Sequence, residues 1–395
     1  MTRIDLSGLA VRPSQVWGGV RLVPLVREEP VEGLRLRREV YARSWGPDTV
    51  DVGDGTAYTS YVPHGFVADW SGDGSGAQGA AYGTRLGDEP PVAVPVRRLA
   101  RRRQGEHRLR FLPVHLAVEG YLALHFGGPS VVWDEWSREA VRRGLPPRAE
   151  AAYAGWQVPG LAEALRVFEI HPGQCGVMLY VADALAAAFV VPHPDDYRLL
   201  HATLVEDLFG ELVHQYAHYG APVGDFTASL GDGGGVRSLA DLRRAAVREE
   251  RAWADAHDGL MARDLLETPY AFERVHTMGG FGLYRFLPPF LRSGQEQHIG
   301  ELISDHRGRT AYLKTFRLSE KQIRRGHLLR RLADCDWHLG RTAEALGTSY
   351  AEVVARIERA GFGALLNSRV RSASFEQGVS PASSHGGGAI RRKAE

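Results

Sequence analysis

Asp207, Glu211, His214 and His218 are the side chains whose types and spacing best suit metal chemistry. They recur at steps of four, three and four residues, so on an α-helix all four fall on one stripe. Carboxylates and imidazoles on a shared helical face can bind a divalent cation, and His214 with His218 keeps the i, i+4 spacing of helical zinc sites. The same placement has a structural cause. Acids early in a helix and histidines in its last turn, just before Gly220, suit the helix macrodipole and a glycine C-cap. The sequence has no HExxH and offers no obvious third ligand elsewhere, so no bound metal and no other cofactor is expected. His201, among the apolar positions of the same helix, is expected as a satisfied core histidine.

Arg97, Arg98, Arg101, Arg102, Arg103, Arg108 and Arg110 form the densest run of cations, opposed by Glu106 alone. Such a run can contact phosphates, and it can equally be a solvated strand end. The stretch SGDGSGAQGAAYG lacks the Lys-Ser/Thr ending of a P-loop and the strand-to-helix setting of a dinucleotide site, so it reads as a surface loop. No nucleophile motif stands out, and the residues lean against an enzyme. The alternative is a hydrolase or ligand-binding enzyme that uses the carboxylate and histidine cluster on the 194–219 helix, with a metal or without one.

The elements that must position these groups centre on 161–219. Apolar, β-branched runs at Val177–Val181 and Ala186–Val191, joined across Ala182-Asp183-Ala184, predict a buried hairpin. Pro194 can open the next helix, whose apolar positions Leu204, Val205, Leu208, Leu212 and Tyr216 keep a 3.6-residue period. A strand pair covered by one amphipathic helix is the centre of an α+β fold. Upstream, short extended runs such as VRLVPLV and TAYTSYV, broken by Gly, Pro and Asp, predict an antiparallel β-rich part. Downstream, Ser238 with Asp241 predicts a capped helix whose face is Leu239, Leu242, Ala246, Trp253 and Leu260. HIGELIS and TAYLKTFRL, joined by a turn with Gly308, predict a second hairpin.

A chain of 395 residues exceeds one typical core, so two domains and a tail are expected. With 44% hydrophobic and 24% charged residues it is an ordinary globular composition, and a net charge of +1 leaves any attraction to nucleic acid or membrane to local patches. Cys175 and Cys335 are far apart, which argues against a disulfide framework and for a reducing cytoplasm. No apolar run has the length of a signal peptide core or a membrane span.

The C-terminal part is nearly all helix former. Ser319 opens one amphipathic helix, LGRTAEALG a short second, and TSYAEVVARIERAGF a third that Ser349 caps and Gly361 stops. Ala343 is small where the helices approach, and Leu346, Val353 and Ile357 face inward. This stretch resembles the DNA-binding module of the Fis family through Arg341-Thr342-Ala343, Leu346-Gly347, Ser349, Arg356-Ile357 and Gly361-Phe362. It departs from that family in Tyr350, Ala351 and Glu352, where basic residues usually follow the Ser. Groove reading depends on that turn, so the expected DNA contacts are to the backbone, through Arg324, Arg325, Arg330, Arg331, Arg341, Arg356 and Arg359. The alternative is a helical appendage that packs on the core or on a partner.

The main part resembles the ARPP domains, those associated with ADP-ribosylglycohydrolases and rhodanese-phosphatase-like proteins, and the second type most closely. The letters are Phe168-Glu169, Gln174 and Gly176 ahead of the strand pair, and the opening WGGVRLVPLVREEPVEGLRLRREV. The resemblance implies an accessory or regulatory role in ADP-ribose or nucleotide-based bacterial systems and partners that metabolise ADP-ribose. It supplies no catalytic residues, and Glu169 and Gln174 are its candidate ligand-binding pair. The expected division is an α+β core over 1–226, a linker over 227–236, a helix and β-hairpin extension over 237–318, a Fis-like helix-turn-helix over 319–367 and a disordered tail over 368–395.

Overall fold

The run Val20–Arg27, VRLVPLVR, is buried along its whole length, because it lies inside a sheet with strands on both sides and helices over one face. The computed structural model describes residues 2–17, 20–38, 170–181, 183–203, 235–292 and 294–366, strand segments between 49 and 111, and residues 122, 125 and 126. Contacts divide the chain into two compact units, Met1–His327 and Leu328–Glu395.

The first unit is built on a nine-stranded sheet. Its strands are β1 (Leu9–Val11), β2 (Gln15–Trp17), β3 (Val20–Arg27), β12 (Gln174–Val181), β13 (Ala184–Val190), β14 (Ala271–Met278), β15 (Phe281–Leu287), β16 (His298–Asp305) and β17 (Thr310–Arg317). The order is β1-β3-β12-β13-β17-β16-β15-β14, β2 also pairs with β3, and every pairing is antiparallel. Two smaller sheets stand beside it in the chain. One has the order β11-β10-β6-β5, from Arg110–Phe111, Arg98–Arg103, Thr56–Tyr61 and Thr49–Asp51. The other has the order β4-β7-β9-β8, from Arg35–Arg38, Phe66–Asp69, Thr84–Leu86 and Gly79–Ala81. The antiparallel expectation fails at one place, the parallel pair β7 and β9. Parallel neighbours need a crossover, and here the chain between them returns by way of β8.

Both predicted hairpins form. β12 and β13 turn at Asp183, whose φ of 60° suits a short polar residue that tolerates the left-handed region. β16 and β17 turn through Gly308, φ 83°, and Asp305 fixes that turn by accepting the Arg307 and Arg309 amides at 2.9 Å each. One helix, α1 (Pro194–Thr203), follows β13 and packs against β12 and β4. The rest of the predicted helix to Tyr219 lies outside the described residues.

One face of the large sheet is covered by α2 (Leu239–Ala256), a π-helical turn (His257–Met261) and α3 (Arg263–Glu267). Ser238 caps α2 as predicted, its hydroxyl accepting from the Asp241 amide at 3.2 Å. Trp253, Ala262 and Leu265 meet Val23, Met178, Tyr180, Phe286, Leu302 and Leu313 in the core. The predicted face is corrected at both ends: Leu239 in the first turn of α2 and Leu260 in the π-helical turn beyond it are 74% and 77% exposed, and the buried residues of α2 are Ala245 and Trp253. Of the predicted face, Trp253 near the end of α2 is the residue that packs into the core over the sheet.

Helix α4 (Glu320–Asp334) carries the boundary between the units. It opens on a capping box in which Ser319 Oγ accepts the Gln322 amide and Gln322 Oε1 accepts the Ser319 amide. The second unit continues with α5 (Leu339–Ala345) and α6 (Tyr350–Arg359). Gly347 turns between them at φ 60°, and Ser349 caps α6 by accepting the Glu352 amide at 3.2 Å. Ala343, Val353, Val354, Ile357 and Phe362 are buried apolar side chains around this turn, and Thr342 beside them is also buried.

Candidate functional site

Most of the predicted metal and ligand groups lie outside the described residues: Glu169, Asp207, Glu211, His214 and His218. Among the described residues, no group of three or more His, Cys, Asp or Glu side chains is placed to hold a metal ion. Gln174 is described and buried. Its Oε1 accepts the His171 amide at 2.9 Å and its Nε2 donates to the Gly176 carbonyl at 3.1 Å, so it ties the entry of β12 to its own backbone. It also bonds the hydroxyl of Tyr197 on α1, a phenol that burial pushes up. His201 Nδ1 lies 3.0 Å from the same hydroxyl, and His201 is buried, as expected of a core histidine.

Two buried polar groups were not anticipated from the sequence. The first lies on the sheet face away from α2, as strand alternation requires. Lys314 on β17, Glu301 on β16, Arg285 on β15 and Glu273 on β14 are successive cross-strand partners, a row of alternating charge over four strands. Lys314 and Glu301 are only 4% and 2% exposed, whereas the Glu273 side chain is 55% exposed and bonds Arg285. The Tyr312 hydroxyl reaches to 3.4 Å of Glu301 Oε2. Phe189 stands across from Lys314, and the Phe316 ring lies 5.7 Å from its Nζ. Burial holds the Lys314 ammonium below the ordinary lysine range, against the pull of Glu301.

The second group lies beneath the π-helical turn. Tyr180 on β12 places its hydroxyl 2.7 Å from His257 Nε2, and His257 Nδ1 lies 2.8 Å from Asp258 Oδ1. Tyr180 and His257 are fully buried while the Asp258 side chain is 56% exposed, so the chain of bonds runs from solvent to the core. Nearby, Glu296 accepts the Leu185 amide at 3.2 Å and pairs with Arg317 at 3.5 Å. His298, the β16 partner of Arg317, is fully buried with neither ring nitrogen hydrogen-bonded. Burial first and Arg317 second pull its pKa down to about 3, so the ring is neutral. π-Helical turns cluster at functional sites, yet here the hydroxyl at the end of the chain has no exposure.

Six of the seven predicted cations of the helical part, all but Arg325, lie beside an acid. Arg324 pairs with Glu320 at 3.7 Å, Arg330 and Arg331 with Asp334 at 3.6 and 3.8 Å, and Arg341 with Asp336 at 2.9 Å. Arg356 and Arg359 converge on Glu352 at 2.9 and 2.7 Å, and their hydrogen bonds lower its pKa. Arg325 is half-buried. Exposed pairs of this kind are weak and screened by salt, so a competing phosphate can take the arginine over.

A signal for the first group was present in the sequence. Lysine occurs at three positions, and Lys314 sits in the middle of an apolar strand. With the turn at Gly308, the hairpin register sets Lys314 opposite Glu301. His257 gave no comparable signal, because it sits in a run of small and polar residues, Ala254-Asp255-Ala256-His257-Asp258-Gly259, that reads as a solvated helix end.

Set beside known proteins, no curated protein and no solved structure matches this chain. A family model described as ARPP-2 matches residues 4–279, more than half of the chain.

Proposed function

The chain belongs to the ARPP-2 family, and from that premise we propose an accessory or regulatory protein whose C-terminal helices, a Fis-like helix-turn-helix, contact duplex DNA through its phosphates. The observation that supports this is the pair α5 and α6, joined through Gly347 and capped by Ser349, with Arg331, Arg341, Arg356 and Arg359 exposed around it. The first turn of α6 presents Tyr350, Ala351 and Glu352, and Glu352 is already engaged by two arginines. That turn therefore offers little to base edges, and phosphate contacts carry affinity without sequence information. For the core, the reading is a role in ADP-ribose or nucleotide-based systems in the cytoplasm, as the resemblance to the ARPP domains implies.

The experiment is an anisotropy titration of the full chain against two duplexes of unrelated sequence. Similar affinities are expected, weakened about equally by Arg330→Ala with Arg331→Ala and little changed by Tyr350→Ala. Sharp preference for one duplex that Tyr350→Ala destroys would contradict the reading. The role of the core is tested by calorimetry with ADP-ribose, where binding is expected and a flat titration counts against it.

A further inference from the structure

Glu352 stands three residues after Ser349, the spacing of a capping box, in which the glutamate reaches back to the N-cap amide. Half of that box is present: the Ser349 hydroxyl accepts the Glu352 amide at 3.2 Å. The Glu352 carboxylate turns the other way. Its Oε1 accepts Arg356 Nε at 2.9 Å and Arg359 Nη2 at 2.7 Å, so two guanidiniums converge on one oxygen. Arg359 is held a second time, its Nε donating to the Ala355 carbonyl at 3.2 Å. Glu352, Arg356 and Arg359 follow at steps of four and three residues and make one stripe of α6, opposite the buried Val353, Val354 and Ile357. Asp334 on α4 also faces two arginines, yet at 3.6 and 3.8 Å and through different oxygens.

Phosphate oxygens and carboxylate oxygens take the same partners, charged N–H donors at about 2.7–2.9 Å. We propose that Arg356 and Arg359 form the seat of one DNA phosphate, which Glu352 occupies in the free protein, so that α6 carries its own competitor for DNA. The seat rests on the DNA reading given above and adds what limits the affinity. A phosphate that enters it displaces the carboxylate from both guanidiniums and leaves Glu352 beside a like charge. The Arg356 and Arg359 hydrogen bonds hold the Glu352 pKa below its ordinary value, so it competes as an anion at neutral pH. Exposed ion pairs are weak, and the exchange therefore costs about three- to tenfold in affinity rather than forbidding binding.

The test compares Glu352→Gln with Glu344→Gln in the full chain, each titrated with the two unrelated duplexes over a range of salt. Glutamine keeps the length of the side chain and the backbone half of the cap. Glu344 is exposed on the neighbouring helix α5, so its substitution removes the same charge from elsewhere. Glu352→Gln should bind both duplexes about three- to tenfold more tightly, with a salt slope steeper by about 0.9, one further phosphate. Glu344→Gln should leave both nearly unchanged, and adding Arg356→Ala and Arg359→Ala to Glu352→Gln should remove the gain. An equal gain in Glu344→Gln would make the effect one of net charge and overturn the proposal. So would a wild type that binds while Glu352→Gln binds no better, a result that leaves the DNA reading standing. If neither binds at low salt, the DNA reading fails and the seat with it.

Discussion

The Tyr180 hydroxyl lies 2.7 Å from Nε2 of His257, and this bond joins the centre of the large sheet to the π-helical turn that crosses it. Both side chains are fully buried, so losing either partner leaves a polar atom where water does not reach. Tyr180→Phe keeps the ring and removes the hydroxyl. It should cost about 1–3 kcal/mol and lower the melting temperature by several degrees in calorimetry. An unchanged melting temperature would show that His257 finds another partner.

Acid should destabilise the core through His298. Its pKa is depressed in the folded state to about 3, from 6.5 when unfolded, so the unfolded chain binds the extra proton between those values. Stability from this group is full above the unfolded pKa and is lost as pH falls through the window below it. At pH 5 the loss should be about 2 kcal/mol relative to pH 7. Denaturant midpoints measured at both pH values, for the wild type and His298→Gln, check this: the variant should show a smaller drop, and an equal drop would assign the effect elsewhere.

Asp196 holds α1 to β4. It is buried and accepts Arg35 Nε at 3.0 Å, Arg35 Nη2 at 2.6 Å and the Leu36 amide at 3.0 Å. Asp196→Ala strips a buried amide and a guanidinium of their acceptor, and should cost about 2–4 kcal/mol in equilibrium unfolding. A loss within experimental error would mean that water substitutes for the carboxylate.

Gly300 lets β16 and β17 lie as close as they do beside the lysine. A Cβ there would overlap the Lys314 carbonyl and crowd the Phe286 ring, both fixed in the sheet. Gly300→Ala should therefore destabilise by more than about 1–3 kcal/mol, the usual cost of overpacking, since backbone and not a flexible side chain must move. Soluble expression with a native melting temperature would contradict this packing.

The parts of the fold legible in the sequence were those where local chemistry and tertiary packing agree. The two hairpins, the Ser238 and Ser349 caps and the Gly308 and Gly347 turns all follow from residues whose preferences operate over a few positions. β14 was missed because it is an edge strand: Ala271, Glu273, Arg274 and Thr277 are exposed, so it lacks the apolar alternation that reveals a strand. The exposed half of α2 misled for a related reason, since periodicity shows which side of a helix is apolar and not how far the core extends beneath it. The buried groups were hidden by register. Lys314 and Glu301 look like solvated charges until the hairpin is paired and its face covered.

The central claim, that the helical part meets DNA by phosphate contacts, is tested most directly by the salt dependence of duplex binding. The logarithm of the association constant for the full chain is measured against the logarithm of salt concentration. Each phosphate neutralised contributes a slope of about −0.9. A steep negative slope is expected for any duplex, with Arg330→Ala and Arg331→Ala together making it shallower by about two contacts. No detectable binding at low salt, or a slope that these substitutions leave unchanged, would contradict the account.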